Sequence, residues 1–155
     1  MGLEIERKFL VNHTKWKQLI KPTGAKYKQG YLLNEVNKVV RIRVTDSAAY
    51  LTIKGTTEGI TRKEFEYPIP INDANELLDG FAGAKIEKTR YKVNHEGKLW
   101  EVDEFSGDNE GLIIAELELK SETETFNLPD WITFEVSNDE RYYNSNLSVN
   151  PFKNW

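Results

Sequence analysis

Glu4, Glu6 and Lys8 stand at every second position of the opening segment, and Leu3, Ile5, Phe9 and Val11 fill most of the places between and after them. An extended strand turns successive side chains to opposite faces. Two carboxylates and an ammonium therefore line up on one side. Paired carboxylates at this spacing can hold a hard divalent cation, and the neighbouring ammonium can take one anionic oxygen of a ligand. A single strand of this kind also describes an ordinary solvated sheet face. The functional weight comes from the pattern returning along the chain.

Arg41 and Arg43 share a face, as do Thr52 and Lys54, and Arg62, Glu64 and Glu66. Lys88, Arg90 and Lys92 make a basic row; Glu101 and Asp103, then Glu116 and Glu118, make acidic ones. Apolar residues occupy the alternate positions. A half-buried antiparallel sheet alternates in any case, so a dry face and a wet face would suffice. Two details point further. The rows are sorted by sign, and arginine holds central positions, as suits bidentate phosphate contacts. If the charged faces turn inward in a closed barrel, the basic rows neutralise phosphates and the acidic rows coordinate magnesium or manganese. An unpaired buried charge costs on the order of several kcal/mol, so such a lumen must be wet, cross-paired or filled by ligand.

The elements that must position these groups are mostly strands. They are expected over 3–11, 26–33, 38–45, 49–55, 60–69, 85–94, 98–105, 112–120 and 132–136, separated by turn residues. Short connections favour antiparallel pairing. Helical spacing predicts helices over 14–20, capped by Asn12, and 74–81, with Asp73 and Glu76 forming a capping box. Segments 121–126 and 139–147 are expected as further short helices. The fold class is α+β, built on an antiparallel sheet or barrel with a few flanking helices.

The chain has 155 residues, which suits one domain over 1–155. It has no cysteine, which excludes disulfides, thiolate metal sites and a cysteine nucleophile, and only two histidines, His13 and His95. A net charge of -4 argues against general nucleic-acid binding. No stretch has the apolar length of a membrane span, and the N-terminus lacks a signal-peptide core. A cytoplasmic protein is expected.

The ordered series Glu4-x-Glu6-x-Lys8, Gln29-Gly30-Tyr31-Leu32, Arg41-Ile42-Arg43, Thr52-Ile53-Lys54-Gly55 and Arg62-Lys63-Glu64-Phe65-Glu66 is familiar. It continues through Lys88-Thr89-Arg90-Tyr91, Trp100 to Phe105, and Ala115-Glu116-Leu117-Glu118, and ends near Asp139-Glu140-Arg141-Tyr142. This resembles the triphosphate tunnel metalloenzymes of the CYTH superfamily, most closely its small bacterial tripolyphosphatases. The resemblance implies a closed eight-stranded antiparallel barrel with inward charges. It also implies action on a triphosphate with divalent metal.

On that resemblance Glu4, Glu6, Lys8, Glu116 and Glu118 form the catalytic set. Lys8, Arg41, Arg43, Lys54, Arg62, Lys88 and Arg90 would grip the phosphates. Glu4, Glu6, Glu64, Glu101, Asp103, Glu116 and Glu118 would hold two magnesium or manganese ions. The expected reaction is hydrolysis of tripolyphosphate, or of a nucleoside triphosphate, by metal-activated water. An adenylyl cyclase and a thiamine triphosphatase are the alternatives within the family. A polyphosphate- or nucleotide-binding module without turnover is the alternative of another class, disfavoured because binding alone needs cations more than carboxylates. The expected partner is a small-molecule polyphosphate or nucleotide, with a homodimer left open.

Overall fold

Period-two alternation makes strands the main elements of the chain, as expected. A computed structural model describes residues 2–155, with nine of them: β1 (Gly2–Val11), β2 (Ala25–Glu35), β3 (Lys38–Val44), β4 (Ala49–Glu58), β5 (Thr61–Ile69), β6 (Ile86–His95), β7 (Lys98–Phe105), β8 (Ile113–Glu118) and β9 (Ile132–Glu135). Neighbours pair in the order β5-β4-β3-β2-β6-β7-β8-β1, and the first half of β1 pairs back onto β5 from Gly2–Glu64 to Ile5–Thr61. Eight antiparallel strands thus close into a barrel, which leaves no open sheet edge among them. β9 lies along the second half of β1, with Phe9 opposite Glu135 and Val11 opposite Ile132.

The apolar face of most strands points outward and needs a cover. Over β1, β7 and β8 the cover is aromatic. Phe9, Trp100, Val102, Ala115 and Leu117 pack with Trp16 and Trp131, and the Trp100 and Trp131 rings meet edge to face at 5.9 Å. Trp16 comes from α1 (His13–Gln18), where the Asn12 side chain accepts the Lys15 N–H as expected. The helix stops at Gln18, because the Lys21 ammonium takes the Trp16 and Leu19 carbonyls. Ile20, the last residue of the expected helix, lies beyond this end and is 96% exposed.

On the other side α2 (Ile71–Phe81) lays Ala74 and Leu78 over Ile42 and Ala49. This contact depends on Gly30, since a β-carbon there would meet Ala82 Cβ at 2.9 Å and Leu78 Cδ2 at 3.0 Å. The helix begins after Pro70 with no side-chain cap. Proline presets the entry dihedral, so Asp73 falls inside the first turn and the expected capping box does not form. The expected helix over 121–126 is also replaced by turns. The Glu124 carboxylate accepts the Lys120 N–H and pairs with Lys98, holding that segment against the barrel. Segment 139–147 divides into a 3-10 turn (Glu140–Tyr142) and α3 (Asn144–Leu147).

A third apolar cluster lies inside the barrel. Leu10 continues the phase of Glu4, Glu6 and Lys8; Ile86 precedes Lys88; Phe105 follows Asp103; Ile114 precedes Glu116. These side chains gather with Leu147 of α3, which is completely buried. They close that end of the lumen with an apolar floor. Among the described residues no helix is long and apolar enough to cross a membrane.

Candidate active site

Above the floor the inward faces carry charge. They surround a cavity of about 340 Å³ whose lining includes Glu4, Glu6, Lys8, Arg41, Arg43, Lys54, Arg62, Glu64, Lys88, Arg90, Glu101, Glu116 and Glu118. Strand closure therefore brings together all but one of the residues singled out from sequence. Asp103 is the exception: it is fully buried in the wall behind the lining.

Register turns the sign-sorted rows into neighbours. Lys8 stands opposite Glu116, Arg90 opposite Asp103, Lys92 opposite Glu101 and Lys54 opposite Glu64. Arg90 Nε and Nη2 grip the two Asp103 oxygens at 2.7 and 2.9 Å, and Nη2 reaches Glu116 Oε1 at 2.9 Å. Lys88 Nζ lies 2.7 Å from Asp103 Oδ2. Both Asp103 oxygens are thus committed to cations. Burial opposes ionisation of Asp103 and Glu116, yet Arg90 and Lys88 hold Asp103 below its ordinary value, and Lys8 and Arg90 hold Glu116 well below. Lys8 Nζ bridges Glu6 at 2.9 Å and Glu116 at 2.5 Å.

The wall made by β3 is different. Arg41 Nη2 donates to Thr52 at 3.1 Å and lies 3.4 Å from Glu66, but its Nε is buried with no partner. Arg43 meets no carboxylate among the described residues. Its Nε donates to Gln29 Oε1 at 2.9 Å, and its guanidinium stacks 5.0 Å from the Tyr27 ring. Burial, then repulsion from Arg41 and Arg90, pulls Arg43 down to about 10. Arg62 spends its Nε on the Gly55 carbonyl at 2.7 Å. An anion seated against β3 would satisfy the orphaned donor and relieve the crowded guanidinium groups.

The carboxylates towards the other end of β1 and β8 are crowded with one another. Glu6 sits opposite Glu118 across the ladder. Burial, and then Glu116, pushes Glu6 up to about 7. Glu4 is raised by burial and by the adjacent Glu64 carboxylate, against the pull of Lys54. Glu118 is raised by burial and by Glu4, Glu6 and Glu101. Glu64 Oε2 is buried and makes no hydrogen bond, although Lys54 Nζ lies 3.5 Å away. Among the described residues no three carboxylates are already drawn together as a metal cage. The donor set nevertheless fits a hard divalent cation that keeps part of its water shell: oxygen-only ligands, mutual repulsion and an unsatisfied acceptor.

Several lining residues were not singled out from sequence. Tyr27 and Tyr50 share the inward phase of their strands, and period two alone could have found them. Lys92, which continues the basic row of Lys88 and Arg90, is exposed yet borders the cavity. Ser137, Tyr143, Asn144 and Ser145 enter from the C-terminal segment, where no strand period announces them.

The comparisons with known proteins agree with this geometry. The CYTH domain model matches residues 2–148. An inorganic triphosphatase of Acetivibrio thermocellus is 53% identical over 156 residues, covering 100% of this chain and 99% of its own. One of Nitrosomonas europaea is 33% identical over 150 residues, covering 94% and 97%. The crystal structure of the inorganic triphosphatase NE1496 superposes with a TM-score of 0.65 at 30% identity, over 94% of this chain and 97% of that one. A closed barrel with its charges in phase on eight strands, matched by these relatives over nearly its whole length, makes this chain a member of the CYTH domain family.

Proposed function

We propose that this chain hydrolyses inorganic triphosphate to pyrophosphate and orthophosphate inside the barrel. The names of its relatives support the substrate. The observation that carries the reading is the β3 wall. There a buried Arg41 Nε has no partner and Arg43 has no carboxylate. Phosphoryl transfer asks chiefly for positioning and charge neutralisation, and Arg41, Arg43, Arg90, Lys88, Lys8 and Lys54 supply both along the lumen. Asp103 is a positioning residue in this reading, because it fixes Arg90 and Lys88 rather than facing substrate.

Glu4, Glu6 and Glu118 would hold a magnesium or manganese ion, whose role when bound is to polarise the phosphate and lower the pKa of water. A second ion has fewer oxygens to draw on, since Asp103 and Glu116 are held by Lys88, Arg90 and Lys8. Glu64 and Glu101 remain. Lys8, pinned between Glu6 and Glu116, stands where the acidic and basic parts of the lumen meet. The cytoplasmic setting expected from sequence is kept.

The test is phosphate release from tripolyphosphate, pyrophosphate, ATP and thiamine triphosphate, each with magnesium or manganese, with ATP products also analysed for cyclic nucleotide. Metal-dependent release that is fastest from tripolyphosphate and lost in Arg41→Ala is the expected result. No release with either metal, or cyclic nucleotide as the main product from ATP, would overturn the reading.

A further inference from the structure

The barrel strands supply nearly every charge in the lumen, but the closed end is finished by the C-terminal segment. Leu147 completes the apolar floor. The Ser145 carbonyl accepts Asn34 Nδ2 at 2.9 Å, which ties the same turn to β2. Immediately before these anchors Asn144 enters the cavity. Its Oδ1 accepts from Lys88 Nζ at 2.9 Å and lies 3.5 Å from Gln29 Nε2. A side-chain amide accepts at one end and donates two N–H groups at the other. Because two donors fix the oxygen, the orientation is set, and Nδ2 finds no acceptor among the described residues. Gln29 cannot serve in its place. Its oxygen is spent on Arg43 and its nitrogen on Tyr31 at 3.0 Å.

We propose that Asn144 is a substrate-binding residue, its Nδ2 donating to the terminal phosphate seated against the closed end beside the Lys88 ammonium. The proposal rests on the triphosphatase reading above. A neutral donor suits this place. The floor already crowds Lys88 with Arg90 and Arg43 nearby, so another cation would add repulsion, whereas an amide adds a hydrogen bond without charge. The C-terminal segment would then read the end of the polyphosphate chain, and the barrel wall its length.

Two substitutions separate this role from a structural one. Asn144→Asp keeps an acceptor for Lys88 and Gln29 but removes both donors and faces the phosphate with a carboxylate. Asn144→Leu removes donors and acceptor together while keeping the volume. Calorimetric titration with tripolyphosphate in metal-free buffer reads affinity, and thermal unfolding reads the fold. A hydrogen bond to a charged group is worth about tenfold or more in affinity. Asn144→Asp is expected to weaken binding by more than about tenfold with its unfolding midpoint held, and Asn144→Leu to weaken it less. A purely structural residue gives the reverse order, with Asp tolerated and Leu harmful. That order, or Asp binding within twofold of wild type, would overturn the proposal. Failure of wild type itself to bind tripolyphosphate, with magnesium present as well as absent, would bring down the triphosphatase reading and this proposal together.

Discussion

At the scale of single residues, buried charge in this lumen divides into groups that hold the barrel and groups that await a ligand. Asp103 belongs to the first. Removing one partner of a buried pair strands the others, at a cost of about 3–5 kcal/mol. Asp103→Ala leaves both Lys88 and Arg90 without their principal counter-charge, so a loss of that size is expected in urea unfolding of the metal-free protein. A loss below about 1 kcal/mol, the worth of an exposed pair, would place Asp103 outside this network. Glu6 belongs to the second group. Glu6→Gln copies the shape of its protonated form and removes repulsion with Glu116. Stability at neutral pH should hold or rise. Phosphate release at limiting metal should fall by more than about 100-fold, beyond the 10–100-fold that loss of a supporting contact costs. The two readouts moving in opposite directions is what separates a ligand from a structural carboxylate.

Elements decide whether those residues meet. The α2 side of the barrel's cover rests on a close approach, that of Gly30 under the helix. Gly30→Ala forces a β-carbon against Ala82 and Leu78 at distances near 3 Å, and overpacking of this kind costs about 1–3 kcal/mol. The expected result is a lower thermal midpoint with an unchanged Michaelis constant for tripolyphosphate, because Gly30 faces away from the lumen. A raised constant at full stability would show that α2 shapes the site directly. The same elements explain what could be read in advance. Glu4, Arg41, Lys88 and Glu116 declared their common direction because a strand's period of two survives any detail of packing. Closure itself could not be read from periodicity, which is identical for a flat sheet; it came from the ordered resemblance. Leu147 of the floor and Asn144 stayed hidden, because a four-residue helix has no period and its place is set by contacts with β2 and the barrel interior. The 121–126 segment misled for a related reason. Glu124 pairs with Lys98 and Glu122 accepts from the Thr61 hydroxyl, partners that no local spacing reveals.

For the molecule as a whole, the two classes of carboxylate give stability two opposite dependences on pH. Asp103 and Glu116 have folded pKa values below their ordinary ones. Their contribution is present above the unfolded value and is lost as acid approaches the folded one. Glu6 works the other way. Its folded value of about 7 lies above the ordinary 4.5, so between these limits the native state keeps a proton that the unfolded chain has released. The unfolded state then binds fewer protons, and stability falls as pH rises through that window. Glu4 and Glu118, also raised, add to the fall. Lys88, pulled down by burial, favours the native state only at higher pH, where the unfolded lysine still holds its proton. A metal-free thermal midpoint that climbs out of strong acid and then declines towards neutrality is therefore expected. A divalent ion competes with the protons held by the raised carboxylates, and its binding releases them. The midpoint gain from added magnesium should thus be small near pH 5 and large near pH 8. In Glu6→Gln much of the decline and much of the magnesium gain should disappear, with Glu4 and Glu118 keeping the remainder. A magnesium gain equal at both pH values in wild type would mean that the ion, if it binds, displaces no proton. The crowded acidic end of the lumen would then not be where the charge of the metal is taken up.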